Sequence, residues 1–309
     1  MTQKWHADID ITLEIARRCI KEQFPQLLPF NEIKCIGEGW DNLVFLINEK
    51  IIFRFPRRKI AVDLIERETI VLNNLRGKID IAIPDPCYQG KPISYYPYPF
   101  HGYLKLPGIS ACHAQLSHAQ RIESLSVLTK FLKQLHAFDA EQAYKIGARS
   151  QVFDRIDIPQ TSATLQERLA QVAKLGICKI NLASFENEIA AIQNLKLPLN
   201  DQCLVHGDLY CRHLLFNQGK LNAIIDWGDV GINNKAVDLA VICAFYPTEY
   251  HAQFFVEYGT VDDITWQYAR FLALYGAILL IAYGHDIGDK LLVAEAIDNI
   301  RRVDAGLLE

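Results

Sequence analysis

LVHGDLYCRHLLFNQGKLNAIIDWGDVG, residues 204–231, sets two carboxylates at the two ends of one short hairpin. An apolar, β-prone run leads into His206 and Gly207, and Asp208 follows in the loop. Five residues on comes His213, then LLF, the turn NQGK and LNAII, which read as two strands joined by a tight turn. The turn folds the second strand back, so Asp226 returns beside His213 and Asp208. Either Asp alone reads as a turn residue bonding local backbone. Their pairing across one hairpin weakens that reading. A loop carboxylate can accept the proton of a hydroxyl nucleophile. A second one nearby can hold Mg²⁺ against nucleotide phosphates. Cys203, His206, Cys211 and His213 fall close together, but their spacing matches no structural zinc finger.

Downstream of this stretch, AVDLAVICAFY (236–246) and the remaining segments to the C-terminus read as helices. Upstream, SHAQRIESLSVLTKFLKQLHAFD (117–139), TLQERLAQVAKLG (164–176) and NEIAAIQNL (187–195) are helical in period. The first hundred residues differ. DIDITLEIARRCIKEQF (8–24) reads as a capped amphipathic helix. NEIKCIGEGWDNLVFLINEKIIFRFPR (31–57) reads as three strands, and KIAVDLIERETIVLNNL (59–75) as a helix. IPDPCYQGKPISYYPYPFHGYL (83–104) is Pro-rich, with short strands that end in a break at Gly102. The expected architecture is α+β and two-lobed, a protein-kinase-like fold. It places a β-rich N-lobe with an antiparallel sheet at 1–102 and a helical C-lobe at 103–309.

The first lobe carries its own candidates. Glu68 falls on the apolar face of its helix, where a carboxylate without a cation is costly. Arg54, mid-strand in IIFRFPR, is the natural partner, and a cation so clamped can point at phosphates. A plain salt bridge between two elements is the competing reading. Gly37 and Gly39 in IGEGWDN join two strands, where backbone N–H groups can cover phosphates, although most such pairs of glycines only make turns.

Gly-rich hairpin, strand cation, helix Glu, hinge, His-x-Asp loop and metal Asp follow the order of the phosphoryl-transfer template. With HGDLYCRHLLF, IIDWGD, the later DLA at 238–240, FRFPR and LPG at 106–108, the chain resembles the aminoglycoside phosphotransferase family over nearly its whole length. The resemblance implies that Asp208 is the catalytic carboxylate, and that Asp226 and His213 hold the metal. It implies that Arg54 is the phosphate-binding cation, with Glu68 as its partner. Residues 101–104, with His101 and Tyr103, would meet the nucleotide base, and His206 would anchor the loop. Two departures stand out. Most of the family has Asn at the place of His213, and His there resembles the aminoglycoside 2''-phosphotransferases and macrolide phosphotransferases. The softer imidazole also admits Mn²⁺. Arg54 stands where Lys is usual, so Arg57, Arg58 and Lys59 are alternative phosphate cations.

The expected reaction is transfer of the γ-phosphate of ATP or GTP to a hydroxyl of a small acceptor, a 2''-type aminoglycoside first. A macrolide, a metabolic alcohol or sugar, and a nucleotide-binding pseudokinase are the alternatives. No Ala-Pro-Glu follows Asp226, which argues against a protein kinase. Acceptor binding is expected near Glu249, Glu257, Asp262 and Asp263, because residues 235–309 carry 5 Lys and Arg against 11 Asp and Glu. Such a wall suits a cationic small molecule, although acids on helices usually face solvent. Half the 309 residues are apolar and the net charge is −4, which gives no sign of a nucleic-acid surface. Eight scattered cysteines, no C-x-x-C pair and a longest apolar run of FLALYGAILLIAYG (271–284) predict a cytoplasmic protein with reduced thiols and no membrane span.

Overall fold

The computed structural model describes residues 7–39, 41–151, 154–198 and 201–308. The chain forms two compact units, one of Met1–Lys78 with Ala82–Leu106, the other of Ile79–Ile81 with Pro107–Glu309.

The first unit begins with helix α1 (Leu13–Gln23). It starts later than its periodicity suggested, because the hydroxyl of Thr12 takes the cap and accepts from the Ile15 N–H at 3.2 Å. Strands β1 (Ile33–Glu38), β2 (Asn42–Ile47) and β3 (Ile51–Pro56) follow, then helix α2 (Lys59–Leu75), and strands β4 (Tyr88–Gly90) and β5 (Phe100–Leu104). The five strands form one antiparallel sheet in the order β1-β2-β3-β5-β4.

Alternation along β3 divides the sheet's faces. Phe53 and Phe55 join Phe45, Phe100 and Tyr96 in an aromatic core with Ala16, Cys19 and Ile20 of α1. The Phe55 and Phe100 rings stack at 4.4 Å. Arg54, between the two phenylalanines, emerges on the opposite side, toward α2. Gly102 does not break the strand as expected. It pairs with Phe53 inside β5, and a Cβ there would lie 2.7 Å from the Phe53 ring. The glycine is a site of close packing and not a turn.

The second unit opens with the short strand β6 (Ile109–Ser110). Helices α3 (His118–His136), α4 (Ala140–Lys145), α5 (Ile158–Leu175) and α6 (Leu182–Gln193) follow. The α5 and α6 helices begin about one and a half turns before the apolar periodicity becomes clear. Asp157 caps α5 with Pro159 in its first turn, and Asn181 caps α6. Next come β7 (Gln202–Val205), β8 (Leu214–Asn217), β9 (Lys220–Ile224) and β10 (Gly231–Asn234). Helices α7 (Ala236–Phe245), α8 (His251–Tyr258), α9 (Asp263–Asp286) and α10 (Lys290–Val303) close the chain.

Strands β8 and β9 form the expected hairpin, closed by Gln218 and Gly219 at φ +51° and +77°. Strand β6 adds to its edge. β10 turns back and pairs antiparallel with β7, a contact the hairpin reading lacked. Every residue of α7 is buried. The α9 helix is longer than the apolar run within it, and long and apolar enough to cross a bilayer by length and composition. Most of that window is buried, since α9 packs against α5, α6, α7 and α10.

Candidate active site

The loop after β7 is held by a carboxylate that motif reading singled out only as part of DLA. Asp238, in the first turn of α7, accepts from the His206 N–H at 2.7 Å and the Gly207 N–H at 2.9 Å. Its Oδ2 also lies 3.2 Å from His136 Nε2. Burial pushes the Asp238 carboxyl up, but His136, His206 and the loop amide outweigh it, so its pKa sits below the usual value. His206 uses both ring nitrogens. Nδ1 receives the Asp208 N–H at 3.3 Å, which leaves Nε2 to donate to the Ile225 carbonyl at 3.0 Å. Burial lowers the pKa of this ring, in keeping with that neutral tautomer. His206 therefore ties the start of the hairpin to its end and anchors the loop. Trp227, fully buried, packs on it at 4.8 Å between ring centres.

His213 links both carboxylates. Its Nδ1 donates to the Asp208 carbonyl at 2.6 Å and lies 3.7 Å from Asp208 Oδ2. Its Nε2 faces Asp226 Oδ2 at 3.3 Å. Burial works against a charge on this ring, but Asp226 and then Asp208 outweigh it and raise its pKa. Asp226 has φ +64°, the left-handed region, which a short polar residue tolerates best among L side chains. The three residues expected to converge do so.

One imidazole nitrogen and one carboxylate oxygen suit a divalent cation such as Mn²⁺ as well as Mg²⁺. Two ligands on octahedral bonds of about 2.1 Å stand about 3 Å apart, close to the Nε2–Oδ2 separation. The Nδ1–H bond to backbone orients the ring with Nε2 toward Asp226, as outer hydrogen bonds do for ligating imidazoles. No cluster of three or more His, Cys, Asp or Glu suited to a metal occurs among the described residues. A cation held by this pair would take its further ligands from water and phosphate oxygens, the usual manner of Mg²⁺.

Sequence reading missed Arg155. Its Nη2 donates to Asp208 Oδ1 at 2.5 Å and to Asp229 Oδ2 at 3.1 Å. Burial disfavours the guanidinium charge, but the two carboxylates overcome this and raise its pKa. Next to it, the Gln151 amide donates to the Asp229 carbonyl at 2.7 Å. Gly207, at φ +87°, admits this contact, because a Cβ there would meet Gln151 Nε2 at 1.9 Å. Tyr275 of α9 lies near enough to Arg155, Arg168 and Asp208 to feel their charges. The only sequence signal for Arg155 is a basic residue among the acids of DRID, which has no spacing rule.

Of the four acids expected at the acceptor, two make local contacts and two are exposed. Asp262 caps α9 by accepting from the Thr265 N–H at 2.9 Å, and Asp263 is exposed beside it. Both lie about 18 Å along the helix from Tyr275, at the rise of an α-helix. Glu257 accepts from Gln253, one turn before it on α8, and Glu249 is exposed before that helix.

In the first unit, Arg54 Nη1 donates to Glu68 Oε1 at 2.5 Å, and both side chains are buried. The neighbouring arginines turn elsewhere. Arg57 pairs with Glu38 at 2.6 Å and Arg58 with Asp41 at 3.0 Å. Gly37 follows a bulge in β1, and the Gly39 N–H donates to the Asn42 carbonyl at 2.9 Å. His101, opposite Arg54 in the ladder, has its Nδ1 2.7 Å from the Thr69 hydroxyl oxygen. That hydroxyl donates to the Ile65 carbonyl, so the ring must be the donor to it. Burial and then Arg54 hold the His101 pKa well down. Tyr103 is buried next along the same face of β5, with its ring 6.0 Å from that of His101.

The model of the family described as "Phosphotransferase enzyme family" matches residues 32–272. Viomycin phosphotransferase of Streptomyces vinaceus is 24% identical over 296 residues, covering 91% of this chain and 98% of that protein. The GDP and kanamycin complex of APH(2'')-IIIa superposes with a TM-score of 0.69 at 22% identity, covering 94% of this chain and 98% of the other. A macrolide 2'-phosphotransferase of Brachybacterium faecium gives 0.60 at 21% identity, covering 93% and 96%. These structural likenesses are of fold, α+β and kinase-like.

Proposed function

This chain belongs to the phosphotransferase enzyme family, and from that premise we propose that it moves the γ-phosphoryl group of ATP or GTP to a hydroxyl of a small antibiotic-like acceptor. A 2''-type aminoglycoside is the first acceptor to test. The observation that carries the reading is His213, one ring bonded to the backbone of Asp208 and facing the carboxylate of Asp226.

Asp208 receives the acceptor hydroxyl, orients its oxygen toward the γ-phosphorus and takes its proton as the new P–O bond forms and the bond to the β–γ bridging oxygen breaks, releasing ADP or GDP. Asp226 and His213 hold Mg²⁺, or Mn²⁺, which when bound supplies positive charge to the nucleotide phosphates. Arg54, set by Glu68, contacts phosphate oxygens, and Gly37 and Gly39 offer backbone N–H groups to them. The pairing of Arg57 and Arg58 with hairpin acids favours Arg54 over its neighbours. Residues 101–104, with His101 and Tyr103, meet the base. His206 and Asp238 keep the loop rigid, so that little of the barrier is spent on ordering it.

Relatives point to the acceptor class. The structural neighbours include enzymes crystallised with kanamycin, gentamicin and streptomycin, and macrolide 2'-phosphotransferases. The test is transfer of labelled γ-phosphate, from ATP and GTP in parallel, to 4,6-linked and 4,5-linked aminoglycosides, a macrolide and small amino alcohols. Label is expected on one class and is expected to fall by about 10²–10⁴ in Asp208→Ala, with nucleotide affinity kept. Transfer that survives in Asp208→Ala would take this residue out of the chemistry. Binding of nucleotide without transfer to any acceptor would favour a nucleotide-binding pseudokinase.

A further inference from the structure

The contact between Arg155 and Asp208 lies outside the roles above. A bare carboxylate at the end of a loop can turn about its last torsion and offer either oxygen. Here Oδ1 is engaged by Arg155, while Oδ2 lies 3.7 Å from His213 Nδ1. Arg155 Nη2 bridges Asp208 Oδ1 at 2.5 Å and Asp229 Oδ2 at 3.1 Å, using the two N–H bonds of one nitrogen. The bridge is held from behind. The Thr161 hydroxyl donates to the Arg155 carbonyl at 3.0 Å, from a buried position in α5. The carboxylate of Asp154 accepts from the Ile156 N–H at 3.2 Å and the Asn233 amide at 3.3 Å. Asp157 then caps α5. Arg155 is thus tied to a helix start on one side and to β10 on the other. The backbone on both sides of Arg155 is thereby fixed, so its side chain departs from a set point.

We propose that Arg155 is a positioning residue for phosphotransfer, clamping Asp208 by Oδ1 so that Oδ2 stays turned to the acceptor hydroxyl. The proposal rests on the reading of Asp208 given above. Asp229 is the counter-anchor of the clamp and keeps the guanidinium from rotating with Asp208. The clamp also leaves a positive charge beside the reacting oxygen. The wall next to Asp208 is therefore less negative than its carboxylates alone would make it, and an acceptor's ammonium groups are expected away from the reacting hydroxyl.

The experiment follows Arg155→Ala, Arg155→Lys, Asp229→Asn and the Arg155→Ala/Asp229→Asn double variant. The probes are labelled ATP and GTP, with water as acceptor in basal hydrolysis and with the aminoglycoside, macrolide and amino-alcohol panel. Arg155→Ala should lower kcat about 10- to 100-fold, the scale of a misplaced catalytic group, with KM values within about twofold. Arg155→Lys, which keeps the charge and the fold, should fall between, and added guanidinium ion should restore part of the Arg155→Ala rate. The double variant should be no slower than Arg155→Ala alone, because the two residues act as one device. An Arg155→Ala rate equal to or above wild type would overturn the proposal and make Arg155 a bystander or a plug. A change in acceptor KM alone would overturn it in favour of a binding role. A wild-type chain that turns over neither water nor any acceptor would sink the phosphotransfer reading itself. Arginine side-chain NMR separates the two failures. Slow Nη exchange at Arg155, lost in Asp208→Asn, is expected with or without turnover, and an unchanged signal would remove the clamp.

Discussion

At the scale of single residues, Asp226 pairs an unusual backbone angle with a partly exposed carboxylate facing His213. Asp226→Ala is expected to abolish the metal dependence of nucleotide binding, measured by titration with and without Mg²⁺. A retained Mg²⁺ effect would place the metal elsewhere. Glu68→Gln removes the negative charge that Arg54 Nη1 meets at 2.5 Å. It is expected to weaken nucleotide binding about tenfold, or ~1.4 kcal/mol, and unchanged affinity would reduce the pair to a structural bridge. The reason some of these residues could be read in advance is spacing. Asp208, His213 and Asp226 fall within one hairpin, so strand period and turn length bring them together. Arg54 and Glu68 showed themselves through the cost of burying a charge. Arg155 gave no such sign, because it meets Asp208 across a long stretch of chain with no repeating pattern between them. The anchoring by Asp238 is of the same kind.

Among the secondary-structure elements, glycines decide more than motifs do. Gly102 lies where β5 meets the ring of Phe53, which is fully buried and has no free direction to move. Gly102→Ala is expected to cost about 1–3 kcal/mol of stability by overpacking, seen as a lower denaturant midpoint. Gly276 is the opposite case. It lies inside α9, with no atom within 4 Å of an added Cβ. Gly276→Ala should stabilise the chain by about 1 kcal/mol through helix propensity, read the same way. A destabilised Gly276→Ala chain would mean that backbone freedom there is used. Element boundaries were less legible than element types, since caps such as Thr12, Asp157 and Asn181 depend on backbone geometry as much as on residue identity.

For the molecule as a whole, His101 and His206 are buried and His251 is half-buried. His101, His206 and His251 all have pKa values lowered by burial from the usual 6.5. In the unfolded chain they take up protons near that value, and in the folded chain only at lower pH. Their contribution to stability is therefore complete above about pH 6.5 and is lost as pH falls toward their folded values, at up to about 1.4 kcal/mol per pH unit for each. His213 acts in the other sense, because its folded pKa is raised. Its contribution is complete below about 6.5 and lost as pH rises through the folded value. Melting temperature should thus fall from pH 6.5 to 5. His206→Gln should flatten that slope, and an equal slope in the variant would count against the neutral ring. The α9 helix has a consequence for how the chain is made. It is the most apolar long segment of the second unit, and α10, which covers part of it, leaves the ribosome after it. Until α10 arrives, the nascent chain presents a greasy rod with one side bare, an invitation to chaperones and to its own copies. A stop codon just past Gly288 should therefore give insoluble protein, although every residue proposed for chemistry has already been translated.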